Sequence, residues 1–126
     1  MANPNIANVT TILGNSSQTL LSSTSVFSIA SNAASSNKVY KINNIVVANV
    51  DGTNAVDITI NIYSNATAGS GTAFAIASTI SVPADATLIV TDKTTSFYLL
   101  ENQSIGAIAG VANDLVVTAS WEEINA

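Results

Sequence analysis

Catalysis in this chain would have to be built from eight carboxylates, three lysines and a large pool of Ser and Thr hydroxyls, because there is no histidine, cysteine or arginine. That inventory closes the Ser-His-Asp and Cys-His mechanisms and the usual zinc sites, which need imidazole or thiolate. A Ser-Lys pair would need Lys38, Lys41 or Lys93 as base, and each lysine flanks strand-like sequence where a charge on a sheet edge is the ordinary role. Glu122 and Glu123 cannot act together as a glycosidase pair, since neighbours on a strand point to opposite faces. The other acids, Asp51, Asp57, Asp85, Asp92, Glu101 and Asp114, fall mostly at expected turns or outward strand positions, where they solvate the surface.

The remaining motifs are weaker. Residues 51–54 (DGTN) offer oxygen ligands for calcium but lack the alternating acid series of a calcium loop, and Asp-Gly has a turn-forming role of its own. Gly69 and Gly71 precede a strand and not a helix, which fits a flexible hairpin tip and not a phosphate cradle. Four N-x-S/T triplets are what chance delivers in a chain so rich in Asn, Ser and Thr. Tyr40, Tyr63, Tyr98 and Trp121 could contact sugars or proteins, but Trp121 is in phase with Leu115, Val117 and Ala119, which favours the core. The expectation is therefore no enzyme, no cofactor and no metal.

Only 9% of residues are charged, against about a quarter in ordinary soluble domains, while 48% are hydrophobic. The apolar content is enough to fold one domain; the scarcity of charge leaves little repulsion between copies and points to an assembly subunit. A net charge of −5 without arginine is unsuited to a phosphate backbone, so nucleic acid is not expected as a partner. Residues 1–5 lack the pattern of a secretory signal, and no stretch nears the roughly 20 apolar residues that span a bilayer, so a soluble product without membrane partners is expected.

Period-two alternation dominates the chain and marks strands with one wet face. Its clearest instances are residues 56–63 (VDITINIY), 74–82 (FAIASTISV, stopped by Pro83) and 115–121 (LVVTASW). Turn signals recur at Asp51-Gly52, 68–71, 83–85, 101–103 and 110–114. Strands are predicted near 6–13, 19–30, 38–50, 55–64, 72–82, 87–92, 96–100, 104–109 and 114–123, with Asp51-Gly52 as a hairpin turn. The outcome is a single all-β domain over 1–126, an antiparallel sandwich of about eight strands. Residues 1–37 are less regular, and residues 1–30 are a candidate arm that packs on a neighbour.

One segment is apolar on both faces. Alternation over 39–50 sends Tyr40, Ile42, Val46, Ala48 and Val50 one way and Val39, Ile45 and Val47 the other. A strand of a two-layer sandwich needs one apolar face only, so the second calls for a crossing segment or another subunit. Tyr40, Ile42, Val46, Ala48 and Val50 are accordingly the candidate subunit interface.

Residues 33–42 (AASSNKVYKI), 45–53 (IVVANVDGT), 80–88 (ISVPADATL) and 117–124 (VTASWEEI) resemble small virion proteins of tailed phages, particularly those of cyanobacteria. The resemblance spans roughly residues 33–124 and carries no catalytic signature. It departs from the group at 101–104 (ENQS), where an acidic Gly-Asp turn is expected. It implies a jelly-roll-like sandwich present in many copies on the virion, made in the host cytoplasm. The role implied is a capsid decoration (cement) protein or a tail or neck component, with itself as partner, as a homotrimer, alongside the major capsid protein or other virion proteins. A carbohydrate-binding fibre or adhesin module, using Tyr63 or Trp121 beside Asn-rich loops, is the competing expectation.

Overall fold

The computed structural model describes residues 4–125. It contains nine strands: β1 (Thr11–Leu20), β2 (Phe27–Asn32), β3 (Lys38–Asn49), β4 (Val56–Tyr63), β5 (Ala73–Val82), β6 (Thr87–Thr91), β7 (Phe97–Leu99), β8 (Gln103–Ala109) and β9 (Leu115–Asn125). A single 3-10 turn, Lys93–Thr95, separates β6 from β7 and is capped by the Asp92 carboxylate. One sheet runs β1-β9-β3-β6, with β7 also paired to β3; the other runs β2-β8-β4-β5, and all pairings are antiparallel. The two stack as an all-β sandwich.

The four central strands supply the core because each turns a set of apolar side chains toward the opposite sheet. Ile42, Ile45 and Val47 of β3 and Leu115, Val117 and Ala119 of β9 meet Val56, Ile58 and Ile60 of β4 and Ile105, Ala107 and Ala109 of β8. The buried amides of Asn32 and Asn49 are satisfied by neutral hydrogen bonds, as burial without a partner would be costly. Asn49 donates to the carbonyls of Asn54 and Val82 and accepts from the Asp51 amide. Asn32 donates to the carbonyls of Lys38 and Leu99 and accepts from Ser36 Oγ.

Strands β3 to β9 lie close to their predicted spans, whereas the first two do not. β1 covers residues 11–20 and not 6–13, and β2 covers 27–32 and not 19–30. The physical reason is that β1 is an outer strand whose residues are nearly all exposed, so no buried face imposed a period on its sequence. The segment read as an arm belongs to the sandwich: β1 pairs along β9, Leu21 is fully buried and β2 pairs with β8. Residues 1–3 of that segment lie outside the described residues.

Asp51-Gly52 is not a hairpin turn, because β3 and β4 belong to different sheets. The Asp51 carboxylate instead accepts from the Thr53 amide and from Asn54 Nδ2, closing an Asx turn at the crossing. The connection that does form a hairpin is β4–β5, where Gly69 and Gly71 take positive φ. That tip folds back on its own sheet: Ser31 Oγ donates to the Ala66 carbonyl, Ser104 Oγ to that of Asn65, and the Ala66 amide donates to Asn102 Oδ1.

Beneath the tip, Tyr63 lies across Gly106. A Cβ at 106 would stand 2.7 Å from Tyr63 Cε2 and 2.9 Å from Val26 Cγ1. Gly106→Val is expected to destabilise the fold by about 1–3 kcal/mol, the usual cost of overpacking, read as a lowered urea midpoint at unchanged slope. A midpoint equal to wild type would mean that Tyr63 does not need this gap.

Candidate assembly surface

Residues opposite one another in antiparallel strands share a face, so the register spells out the outer side of the β1-β9-β3-β6 sheet. At one end Leu20, Val116, Ala48 and Thr87 form a row; beside it run Gln18, Thr118, Val46 and Ile89. Val46, Ala48 and Val116 are half-buried, while Ile89 is 62% and Leu20 47% exposed. These five side chains make an apolar group facing solvent. At the other end Ile12, Ile124 and Val39 align, and Val39 and Ile124 are buried.

The cover over Val39 is the chain's own N-terminal segment. Pro4 and Ile6 join Val39, Tyr98 and Leu100 around a small apolar cavity of about 170 Å³. Between the two apolar ends lies a polar band in which Lys41 stands opposite Glu122 and Tyr98. The second apolar face of the 39–50 strand is thus divided: an intramolecular crossing covers one end, and the other is open.

The five candidate interface residues do not form one face. The register of β3 against β9 shifts between Ile42 and Asn44, inserting Asn43 as an extra residue. Tyr40 and Ile42, before the shift, point into the sandwich and are buried in its core. Val46 and Ala48, after it, point outward, and Val50 is exposed beyond the strand end. Strict alternation cannot register such a bulge. Leu20, Ile89 and Val116 complete the outer apolar group and were missed; the register that unites them joins β1, β6 and β9, which are far apart in sequence.

Trp121 and Tyr63 are buried as well, which removes the two aromatic platforms from the carbohydrate reading. Trp121 stacks on Tyr40 at 6.1 Å between ring centroids, and Asn61 Nδ2 donates to the Tyr63 hydroxyl. Around the Trp121–Tyr40 stack sits the principal charged cluster. Glu123 accepts from Lys38 Nζ at 3.3 Å, from Asn15 Nδ2 at 2.7 Å and from Trp121 Nε1 at 3.3 Å. Burial opposes ionisation of Glu123, but these three hydrogen bonds and the Lys38 charge outweigh it and hold the carboxyl below its usual range. Burial, then the Glu123 charge, pushes the Tyr40 hydroxyl up. Lys38 is therefore an ion-pair partner on β3, its amine turned to the Glu123 carboxylate.

No family model matches the sequence, and no curated protein matches it. Among solved structures, the chain is similar to a protein from a structure titled as Bacillus endospore appendages that form a family of disulfide-linked pili. The TM-score is 0.52 at 17% identity, covering 91% of this chain and 88% of that one. The likeness extends over nearly the whole sandwich and concerns its fold. The disulfide linkage is that protein's own, since the present chain has no cysteine.

The Glu123 cluster makes stability depend on pH in a defined direction. A carboxyl held below its unfolded value stabilises fully above the ordinary Glu pKa of about 4.3 and loses that contribution as pH falls through the lower folded value. Glu123→Gln should cost stability at pH 7 and flatten the fall in melting temperature below pH 5. Parallel curves for the two proteins across pH 3–7 would sink this assignment.

Proposed function

We propose that the chain is a structural subunit of a tailed-phage particle, a capsid decoration (cement) protein that strengthens the shell through contacts with the major capsid protein. The observation that carries this reading is the outward apolar group of Leu20, Val46, Ala48, Val116 and Ile89, set on a surface with few charges. Covering such side chains gains about 25 cal/mol per Å² of apolar area, and a neighbouring subunit supplies the cover. The resemblance of residues 33–42, 45–53, 80–88 and 117–124 to virion proteins supports the location.

The winding of the chain supports the same reading. With β6 and β7 counted as one interrupted strand, β8 becomes the seventh and β9 the eighth, and the sheet orders become 1-8-3-6 and 2-7-4-5. We read this as a jelly roll, an architecture of viral capsid domains. That a pilus protein is built on a similar sandwich is in keeping with a construction role for this fold.

Purified particles should contain the protein in many copies, placed on the head by immunogold microscopy, and particles lacking it should lose infectivity sooner on heating or osmotic shock. Ile89→Lys, at an exposed position, should leave the isolated protein within about 0.5 kcal/mol of wild type yet reduce the amount retained on particles. Label on the tail would replace the capsid location with a tail one. Absence from particles would end the proposal.

A further inference from the structure

Sheet edges are hazards that folded proteins blunt with bulges, breaks, charges or proline. Among the described residues three of the four edges here are treated this way. β5 shifts register twice against β4, β2 shifts once against β8, and the edge beyond β3 is broken between β6 and β7 by the 3-10 turn. β1 is the exception. Its ten residues pair with β9 in unbroken register, contain no charge and no proline, and are exposed on both faces except for partial cover at Ser17 and Thr19.

The direction of its free backbone groups follows from one bond. The Leu21 amide donates to the Leu115 carbonyl, so odd-numbered residues exchange hydrogen bonds with β9. The N–H and C=O groups of Ile12, Gly14, Ser16, Gln18 and Leu20 consequently point away from β9; the Ser16 amide donates to Asn15 Oδ1 in the single chain, a local bond that pairing with a second strand would replace. We infer that β1 is a self-association edge, through which two copies pair antiparallel about a two-fold axis at Ser16 into one continuous sheet.

A second copy is the occupant that the side chains fit. With Ser16 opposite Ser16, Gly14 faces Gln18 and Ile12 faces Leu20, so each of the two exposed apolar residues on the outer face gains an apolar partner, twice by symmetry. All five outward residues then exchange backbone bonds, about ten in total. Two copies of a charged edge would set like charges opposite each other; this one has none to oppose. The inference concerns a two-fold dimer, in place of the homotrimer implied by the resemblance, and is independent of where on a particle the protein resides.

The absence of cysteine makes the register directly testable. Paired residues in such a ladder lie about 5.5 Å apart at Cα, within disulfide range. Ser16→Cys should crosslink to itself under mild oxidation; Ile12→Cys and Leu20→Cys should each stay largely uncrosslinked alone but form a dimer band when mixed. Light scattering on wild type should give twice the 12.8 kDa chain mass. Ser16→Lys should halve it, as should Ser16→Pro, which removes an amide that β9 does not use, with unchanged circular dichroism in both. A wild-type monomer at millimolar concentration, a trimer, a dimer that both folded variants preserve, or Ser16→Cys crosslinking no faster than Ile12→Cys would overturn the inference. Should both variants misfold, the crosslinking pattern alone decides.

Discussion

Where β3 passes Trp121 and Ser120 of β9, it fits three residues, Ile42, Asn43 and Asn44, against two. That extra residue sets the phase of everything that follows in the strand. Without it Val46 and Ala48 would continue the inward side of Tyr40 and Ile42, and Ile45, Val47 and Asn49 would be turned to solvent. With it, Ile45 and Val47 enter the core layer, Asn49 reaches the Val82 carbonyl, and Val46 and Ala48 are displaced to the outer face. Because a one-residue slip moves a whole set of side chains across the sheet, core and outer surface are both consequences of this bulge.

Scarcity of charge shapes how the sandwich is closed. Asn32 lies near the start of β3 and Asn49 at its end, and each amide ties an adjoining stretch of chain to a distant carbonyl, that of Leu99 for Asn32 and of Val82 for Asn49. Neutral amides do this at modest desolvation cost, whereas a buried charge in the same place would need an ion-pair partner. The Lys38–Glu123 ion pair sits at a half-open position, surrounded by Asn15 and the Trp121 indole.

How far the sequence discloses this structure depends on whether burial imposes a pattern. β4 and β9 are legible because alternate residues pack on the opposite sheet, and their spans follow the alternation closely. β1 is illegible for the converse reason: TILGNSSQTL has two wet faces, so its position is fixed by pairing with β9 and by nothing local. The two-faced character of residues 39–50 was readable, but its division between core, N-terminal cover and open surface required the bulge and the crossing of Pro4 and Ile6. Asp51-Gly52 misled because Asp stabilises two kinds of turn, and only the sheet assignment of β4 distinguishes them.

The apolar outer group and the β1 edge meet at Leu20, which belongs to both. In a two-fold pairing at Ser16, Leu20 of one copy comes beside Ile12 of the other, whose neighbours across the sheet are Ile124 and Val39. The open apolar end of one subunit is then extended by the exposed Ile12 of the second, while Ile124 and Val39 behind it stay buried. A modest patch, within what a monomer tolerates, thus runs across the seam onto the other copy. A third component meeting that surface would find it at full extent only on the dimer, so pairing at the edge and attachment through the face would reinforce each other through contacts that share a single leucine.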